Sequence, residues 1–174
     1  MRVIGGEFRS RRLRTIPGLA TRPTPDRLRE TLFNILAGRI EGVTFLDAYA
    51  GTGAVGIEAL SRGAARAIFL EKSRRAVEVI RENLGSLELG ERAQVVIGPV
   101  LRSLPRYPAD IAFLDPPYEL SQEYAAALEL LAATSAGLVV AQHSIRLALK
   151  DSYGALRRSR ILKQGDNALS FYSA

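Results

Sequence analysis

Hydrophobic positions follow two periods along this chain. From Val43 onward, short apolar runs alternate with stretches in which apolar residues recur every three or four positions. The runs Val43–Leu46, Ala67–Leu70, Ala93–Ile97, Ile111–Leu114 and Leu138–Ala141 predict strands. Between them, helices are predicted from about Ala54 to Leu60, after Ser73 with Ala76, Val77, Ile80 and Leu84 inward, and around Tyr124, Leu128 and Leu131. Ser73 is placed to cap the second of these. Strand–helix alternation predicts a parallel sheet with helices on both faces. The pattern changes at the end, where Leu156–Leu162 and Ala168–Tyr172 flank Gln164-Gly165-Asp166-Asn167. That reads as an antiparallel hairpin.

The first forty residues read differently. Val3–Phe8 and Leu13–Ile16 predict two short strands around a basic turn, Arg9-Ser10-Arg11-Arg12. Pro17-Gly18 breaks the chain. In Thr24-Pro25-Asp26, Thr24 can cap a helix, Pro25 suits its first position and Asp26 opposes its positive end. Leu28, Leu32, Ile35 and Leu36 then form one apolar face to about residue 37.

Composition narrows the chemistry. With 174 residues, 47% of them apolar, the chain is one domain's worth with a real core. It has no cysteine and one histidine, His143, so disulfides, thiolate zinc sites, Cys nucleophiles and a His-rich metal site are excluded. No metal is expected. No apolar run is long enough to span a membrane, and the start lacks the apolar core of a secretory signal, so the expected compartment is the cytoplasm. Residues 1–40 hold nine Arg against three acids, whereas residues 41–174 hold fifteen Lys and Arg against fifteen acids. All the net charge of +6 therefore sits at the N-terminus, with Arg9, Arg11, Arg12 and Arg14 its densest part. This reads as an anion-binding arm on a neutral body, with Arg22 a further contact.

Two segments carry candidate chemistry. Asp47-Ala48-Tyr49-Ala50-Gly51-Thr52-Gly53-Ala54-Val55-Gly56 lies between the first strand of the sheet and its helix, and matches G-x-G-x-x-G. Glycines there let the backbone turn sharply and approach a ligand. Glu71, twenty residues after Gly51 at the tip of the next strand, can accept both hydroxyls of a ribose. Together they predict an adenosine-type ligand. A dinucleotide needs helix-end amides for its pyrophosphate, whereas S-adenosyl-L-methionine has no phosphate and carries an ammonium and a sulfonium that call for acids and carbonyls. Asp47, four residues before Gly51, favours the methyl donor. The second segment is Asp115-Pro116-Pro117-Tyr118, at the end of the fourth strand. The prolines hold Asp115 and Pro116 extended. An aromatic amine is a poor nucleophile, because its lone pair is delocalised into the ring. A carboxylate and a backbone carbonyl, each accepting one N–H, draw that nitrogen toward tetrahedral geometry. Asp115 and the Pro116 carbonyl suit those roles, and Tyr118 can stack on the base.

On these motifs the chain resembles the RsmD family, the 16S ribosomal RNA guanine-N2 methyltransferases. The likeness includes Arg2-Val3-Ile4-Gly5-Gly6, Arg22-Pro23-Thr24 with Asp26-Arg27, Arg29–Asn34, Asp47–Gly56 continuing into Glu58–Arg62, and Asp115–Tyr118. It implies a class I, Rossmann-like methyltransferase fold: a seven-stranded, mostly parallel sheet with a C-terminal antiparallel hairpin, preceded by a short basic β-hairpin and helix. It also implies a guanine target in the 16S RNA of a partly or fully assembled small ribosomal subunit. Residues 1–40 would form an RNA-binding extension of the same globule, and 41–174 the S-adenosylmethionine-binding catalytic domain, acting as a monomer. By position, Asp47, Ala50, Gly51, Thr52, Gly53, Glu71, Lys72, Pro99 and Asp115 would contact the cofactor, with Thr24, Asp26 and Arg27 closing the site from the N-terminal helix. Two departures stand out. Gly98-Pro99 replaces the usual acid after the third strand, leaving backbone and apolar contacts for adenine. The fifth strand ends in Gln142-His143 where Glu is usual, and His143 is read as structural or surface rather than catalytic. The rival readings are an amino-methyltransferase of another RNA or DNA base, such as adenine N6, a non-catalytic ribosome-assembly factor, and an NAD-linked oxidoreductase.

Overall fold

The computed structural model describes residues 1–18 and 24–174, so Arg22 lies outside the described residues. Eight strands form one sheet: β1 (Thr44–Ala48), β2 (Arg66–Glu71), β3 (Ala93–Ile97), β4 (Ile111–Leu114), β5 (Leu138–Ser144), β6 (Ser152–Tyr153), β7 (Leu156–Gln164) and β8 (Asn167–Ser173). Their spatial order is β3-β2-β1-β4-β5-β8-β7-β6. The first five pair in parallel, and β6, β7 and β8 run antiparallel to their neighbours. This is the class I methyltransferase sheet with one addition, the two-residue β6 on the far edge. Two residues carry no readable period, so β6 escapes a pattern-based reading.

Helices α1 (Asp26–Leu36), α2 (Ala54–Ser61) and α3 (Arg74–Ser86) cover one face, and α4 (Val100–Ser103) and α5 (Glu123–Ala132) the other. Alternation along the strands feeds both layers. Phe45 of β1 packs with Leu28, Leu32 and Phe33 of α1, while Leu46 and Ala48 pack with Tyr124, Leu128 and Leu131 of α5. Ile57 and Leu60 of α2 meet Phe69 of β2 and Ile80 of α3. The Ser73 hydroxyl accepts from the Ala76 N–H and caps α3 as expected.

The N-terminus departs from expectation in two respects. Its two strands are reduced to a single antiparallel bridge, Arg2 to Arg12. The reason is competition for backbone donors. The Ile4 and Gly5 N–H groups donate to the buried Glu58 carboxylate at 2.9 and 2.8 Å, and Glu7 and Phe8 donate to Ser61 of α2. The Glu58 carboxylate and the hydroxyl and carbonyl of Ser61 thus take the bonds a partner strand would have supplied. Val3 and Leu13 anchor the arm in the core beside α2 and α3. The second departure is at α1, which starts one residue later than expected. Pro25 is its N-cap, with no side-chain cap, and Thr24 points elsewhere.

Candidate active site

Strand order reverses between β1 and β4, because their connections leave toward opposite faces. A crevice opens at such a point beyond the C-terminal strand ends. Here it is a cavity of about 570 Å³, within the usual range of ligand sites. Its walls include Asp47, Ala50, Gly51 and Thr52 from the loop after β1, Glu71 and Lys72 after β2, and Asp115–Tyr118 after β4.

The loop shows why its glycines stand where they do. Gly51 has φ +58°, and a Cβ there would enter open space inside the crevice. Gly56 is needed for another reason: its Cβ would come within 2.3 Å of the Phe69 ring, so α2 can lie on β2 only without one. The loop amides are already engaged. The Gly51 N–H donates to Glu71 at 2.8 Å, the Gly56 N–H to Asp47 at 2.8 Å, and the Gly53 N–H to the Ala50 carbonyl at 2.8 Å. A pyrophosphate needs such amides free. Instead three carboxyls, Asp47, Glu71 and Asp115, face one cavity, which suits a cationic ligand.

Burial sets their titration. Loss of water raises the Asp47 carboxyl well above the ordinary carboxylate range, the Gly56 N–H opposes this, and the nearby Asp115 and Glu71 carboxyls push it further up. Burial likewise raises Asp115 to about 7, against one lowering contact, the Thr24 hydroxyl donating to it at 3.4 Å. Glu71 binds its own backbone through both oxygens, Gly51 N–H to one and Ser73 N–H to the other. That fixes its orientation and leaves lone pairs for a ribose.

The segment Asp115–Tyr118 has the shape its prolines impose. Among the described residues, the Pro117 carbonyl accepts from Leu120 N–H, but no backbone N–H reaches the Pro116 carbonyl. One carboxylate and one free carbonyl thus stand side by side at the cavity. Tyr118 begins a 3-10 turn and is 63% exposed, its ring available at the rim.

The comparisons bear on what such a site belongs to. The pattern of the family described as "Conserved hypothetical protein 95" matches residues 1–173. A Bacillus subtilis protein named "Putative rRNA methyltransferase YlbH" is 35% identical over 99% of this chain and 98% of its own length. The Escherichia coli "Ribosomal RNA small subunit methyltransferase D" is 43% identical over 68% of this chain, which spans 60% of that protein. The chain belongs to the RsmD family. The fold agrees: a solved structure titled "Putative methyltransferase yhhF from Escherichia coli" superposes with a TM-score of 0.87 at 32% identity, covering 99% of this chain and 96% of that one.

Within this RsmD-family chain the residues named from sequence do not all converge. Thr24, Asp47, Ala50, Gly51, Thr52, Glu71, Lys72 and Asp115–Tyr118 share the cavity. Gly53 lies just behind its wall as the N-cap of α2. Pro99 is exposed as the N-cap of α4, and the apolar wall comes from its neighbour Val100. Arg27 turns away into a separate small cleft with Arg2, Arg9, Asp26 and Glu30, because α1 begins later than expected and carries residue 27 off the cavity. Arg9, Arg11, Arg12 and Arg14 are exposed outside the cavity. Arg14 pairs with Glu82 at 3.1 Å, and Arg11 donates to the Ser86 carbonyl at 3.1 Å. The arm is nonetheless part of the site, since Met1, Thr15 and Ile16 line the cavity.

Sequence reasoning missed the supports. Tyr49 has φ +62° and its hydroxyl donates to Glu123 at 2.5 Å, fixing the loop against α5. Positive φ in an aromatic residue leaves no sequence mark. His143 is buried, with Nε2 2.8 Å from the Ser170 hydroxyl and Nδ1 2.9 Å from the Ser144 carbonyl. Burial lowers its pKa, in keeping with a structural part.

Proposed function

We propose that this chain transfers a methyl group to the exocyclic N2 amino group of a guanine in 16S ribosomal RNA, on a partly or fully assembled small subunit. Its cofactor is S-adenosyl-L-methionine, and its activity at the level the family supports is ribosomal RNA methylation. The observation that carries the base-amine reading is the ionisable Asp115 beside the free Pro116 carbonyl at one cavity edge.

The residues fit the cofactor. Glu71 would hold its ribose, Asp47 and Asp115 would balance its positive charges, and Val100 would face its adenine. When bound, it supplies an electrophilic methyl on a sulfonium. The protein's work is then positional. The Asp115 carboxylate and the Pro116 carbonyl each accept one N–H of the base amine, orienting the nitrogen lone pair into the cavity. Tyr118 stacks on the base and fixes its plane. Asp115 can take the proton the amine loses, since its pKa of about 7 lies near neutrality. The choice of guanine N2 over adenine N6 rests on the resemblance of the motifs to the RsmD family.

The test is transfer of a radiolabelled methyl from the cofactor to small subunits lacking the modification and to naked 16S RNA, followed by nucleoside mapping. N2-methylguanosine is expected, with subunits the better substrate. N6-methyladenosine would reassign the target base. Tight RNA binding without transfer would leave an assembly factor.

A further inference from the structure

The fifteen-to-fifteen charge balance of residues 41–174 hides a division. Residues 41–144 hold nine Lys and Arg against thirteen acids, and residues 145–174 hold six against two. The C-terminal six are Arg146, Lys150, Arg157, Arg158, Arg160 and Lys163, and the acids are Asp151 and Asp166. A basic end and an acidic middle therefore cancel only in the sum.

The fold puts part of this basic end beside the cavity. Ser144, Arg146 and Asn167 line the cavity. Asn167 opens β8 and pairs with Gln164, the last residue of β7, and Lys163 pairs with Ala168 next to it. Lys163 and Arg160 thus run back from the rim along β7, about 3.4 Å per residue. β6 covers only Leu156 and Arg157, so β7 beyond them is an open edge.

Two of the six charges are already committed. Arg158 pairs with Asp151, and Arg157 donates to the Gly154 and Leu156 carbonyls. Among the described residues, no ion pair uses Arg146, Arg160 or Lys163. Arg160 lies over the Phe171 ring at 5.9 Å, which holds its stem down and leaves its donors outward. Ile161 on β7, and Ile145, whose N–H donates to the Asp166 carbonyl of the hairpin turn, add exposed apolar surface. Unpaired cations on an open edge, flanked by apolar side chains, suit a polyanion with ribose and base surface.

We propose that the β7 edge, through Arg160 and Lys163 with Arg146 at the rim, is a second RNA-binding surface. The cavity mouth then lies between two basic grips. The arm lines the cavity through Met1, Thr15 and Ile16, and the end of β5, the loop after it and the start of β8 line it through Ser144, Arg146 and Asn167. RNA on both sides of the target nucleotide is held, and the base between them enters the cavity. This rests on the RNA-methylation reading above.

The test compares wild type with the double variant Arg160→Gln/Lys163→Gln and with Arg66→Gln/Arg106→Gln, two exposed positions outside residues 1–40. The second pair removes the same charge. Binding to small subunits lacking the modification is measured across a salt series, with S-adenosylhomocysteine affinity by calorimetry as the check on folding. The β7 variant is expected to bind subunits at least about fivefold more weakly at about 0.1 M salt. Its log–log salt slope should be shallower by roughly 0.7–0.9 for each phosphate left without its cation. Its cofactor-product affinity should be that of wild type, and the control pair should change neither quantity. Wild-type affinity and slope in the β7 variant overturn the proposal, as does an equal loss in the control pair. A wild type that neither binds nor methylates RNA overturns the parent reading instead.

Discussion

Asp115 is half ionised near neutral pH, because burial holds its carboxyl at about 7. In the proposed role the ionised form is the stronger acceptor and the one able to take the amine's proton, so kcat/KM should rise with pH through about 7 and level off above about 8. Thr24→Val removes the one hydrogen bond that lowers this pKa and should move the acid limb upward, read from rate profiles of both proteins. A limb that stays in place would detach Asp115 from it. The same group has a stability signature. Its folded pKa lies above the unfolded value of about 3.9, so stability is lost as pH rises from about 4 to about 7 and then stays down. Asp115→Asn should therefore abolish turnover yet raise the melting temperature at about pH 8 by several degrees, roughly 1–3 kcal/mol, with no gain at about pH 4. Melting curves at both pH values check this. At this scale the candidate site was legible where chemistry is written in residue type, as in Asp47, Glu71 and Asp115. It was illegible where geometry decides: Tyr49 reads as an ordinary aromatic, and nothing in the run Thr24–Arg27 says which side chain turns to the cavity.

The N-terminal arm is held to the body by side chains of α1 and α2. Glu58 accepts from Ile4 N–H, Gly5 N–H and Arg62, and lies 3.7 Å from the fully buried Arg29, which also donates to the Arg2 carbonyl. Removing one partner of a buried ion pair leaves the other uncompensated. Glu58→Ala should cost about 3–5 kcal/mol by denaturant unfolding. Arg29→Met should cost less, since Glu58 keeps Arg62 and both backbone donors. Equal costs would mean the Arg29 pairing dominates. The apolar pattern around Val3 and Leu13 predicts strands, and the structure buries both residues, but alternation alone could not say whether the intervening amides meet a strand or a carboxylate. The charge of the arm belongs to a separate prediction. Arg9, Arg11 and Arg12 changed together to Ala should weaken RNA binding and flatten its salt slope. Cofactor affinity should change little, because these three lie outside the cavity that Met1, Thr15 and Ile16 help to close. Filter binding across salt, with calorimetry alongside, decides. A collapse in cofactor affinity would mean the arm acts through the cavity wall.

Across the whole molecule, the parallel half of the sheet was legible because both of its faces are covered, which forces near-continuous apolar strands. β3 and β4 fall where the pattern placed them. β5 runs on to Ser144 past its apolar run, because Gln142 and His143 keep pairing with Leu169 and Ala168 of β8, while the Gln142 carbonyl accepts from the Tyr124 hydroxyl and the His143 ring bonds Ser170. The charge balance was read correctly as a sum and misleadingly as a map, since a count over residues 41–174 cannot show that β7 gathers cations on one edge. A further consequence comes from the exposure of Tyr118 at the cavity rim. The chain contains no tryptophan. Tyr118→Trp would therefore place the molecule's sole indole where the target base is expected to stack, on a backbone that already leaves the ring outward. Its fluorescence would change as RNA arrives and would do so again when the base leaves, in a protein otherwise dark at that excitation wavelength. The entry and exit of a single nucleotide could then be timed with light, separately from the methyl transfer itself.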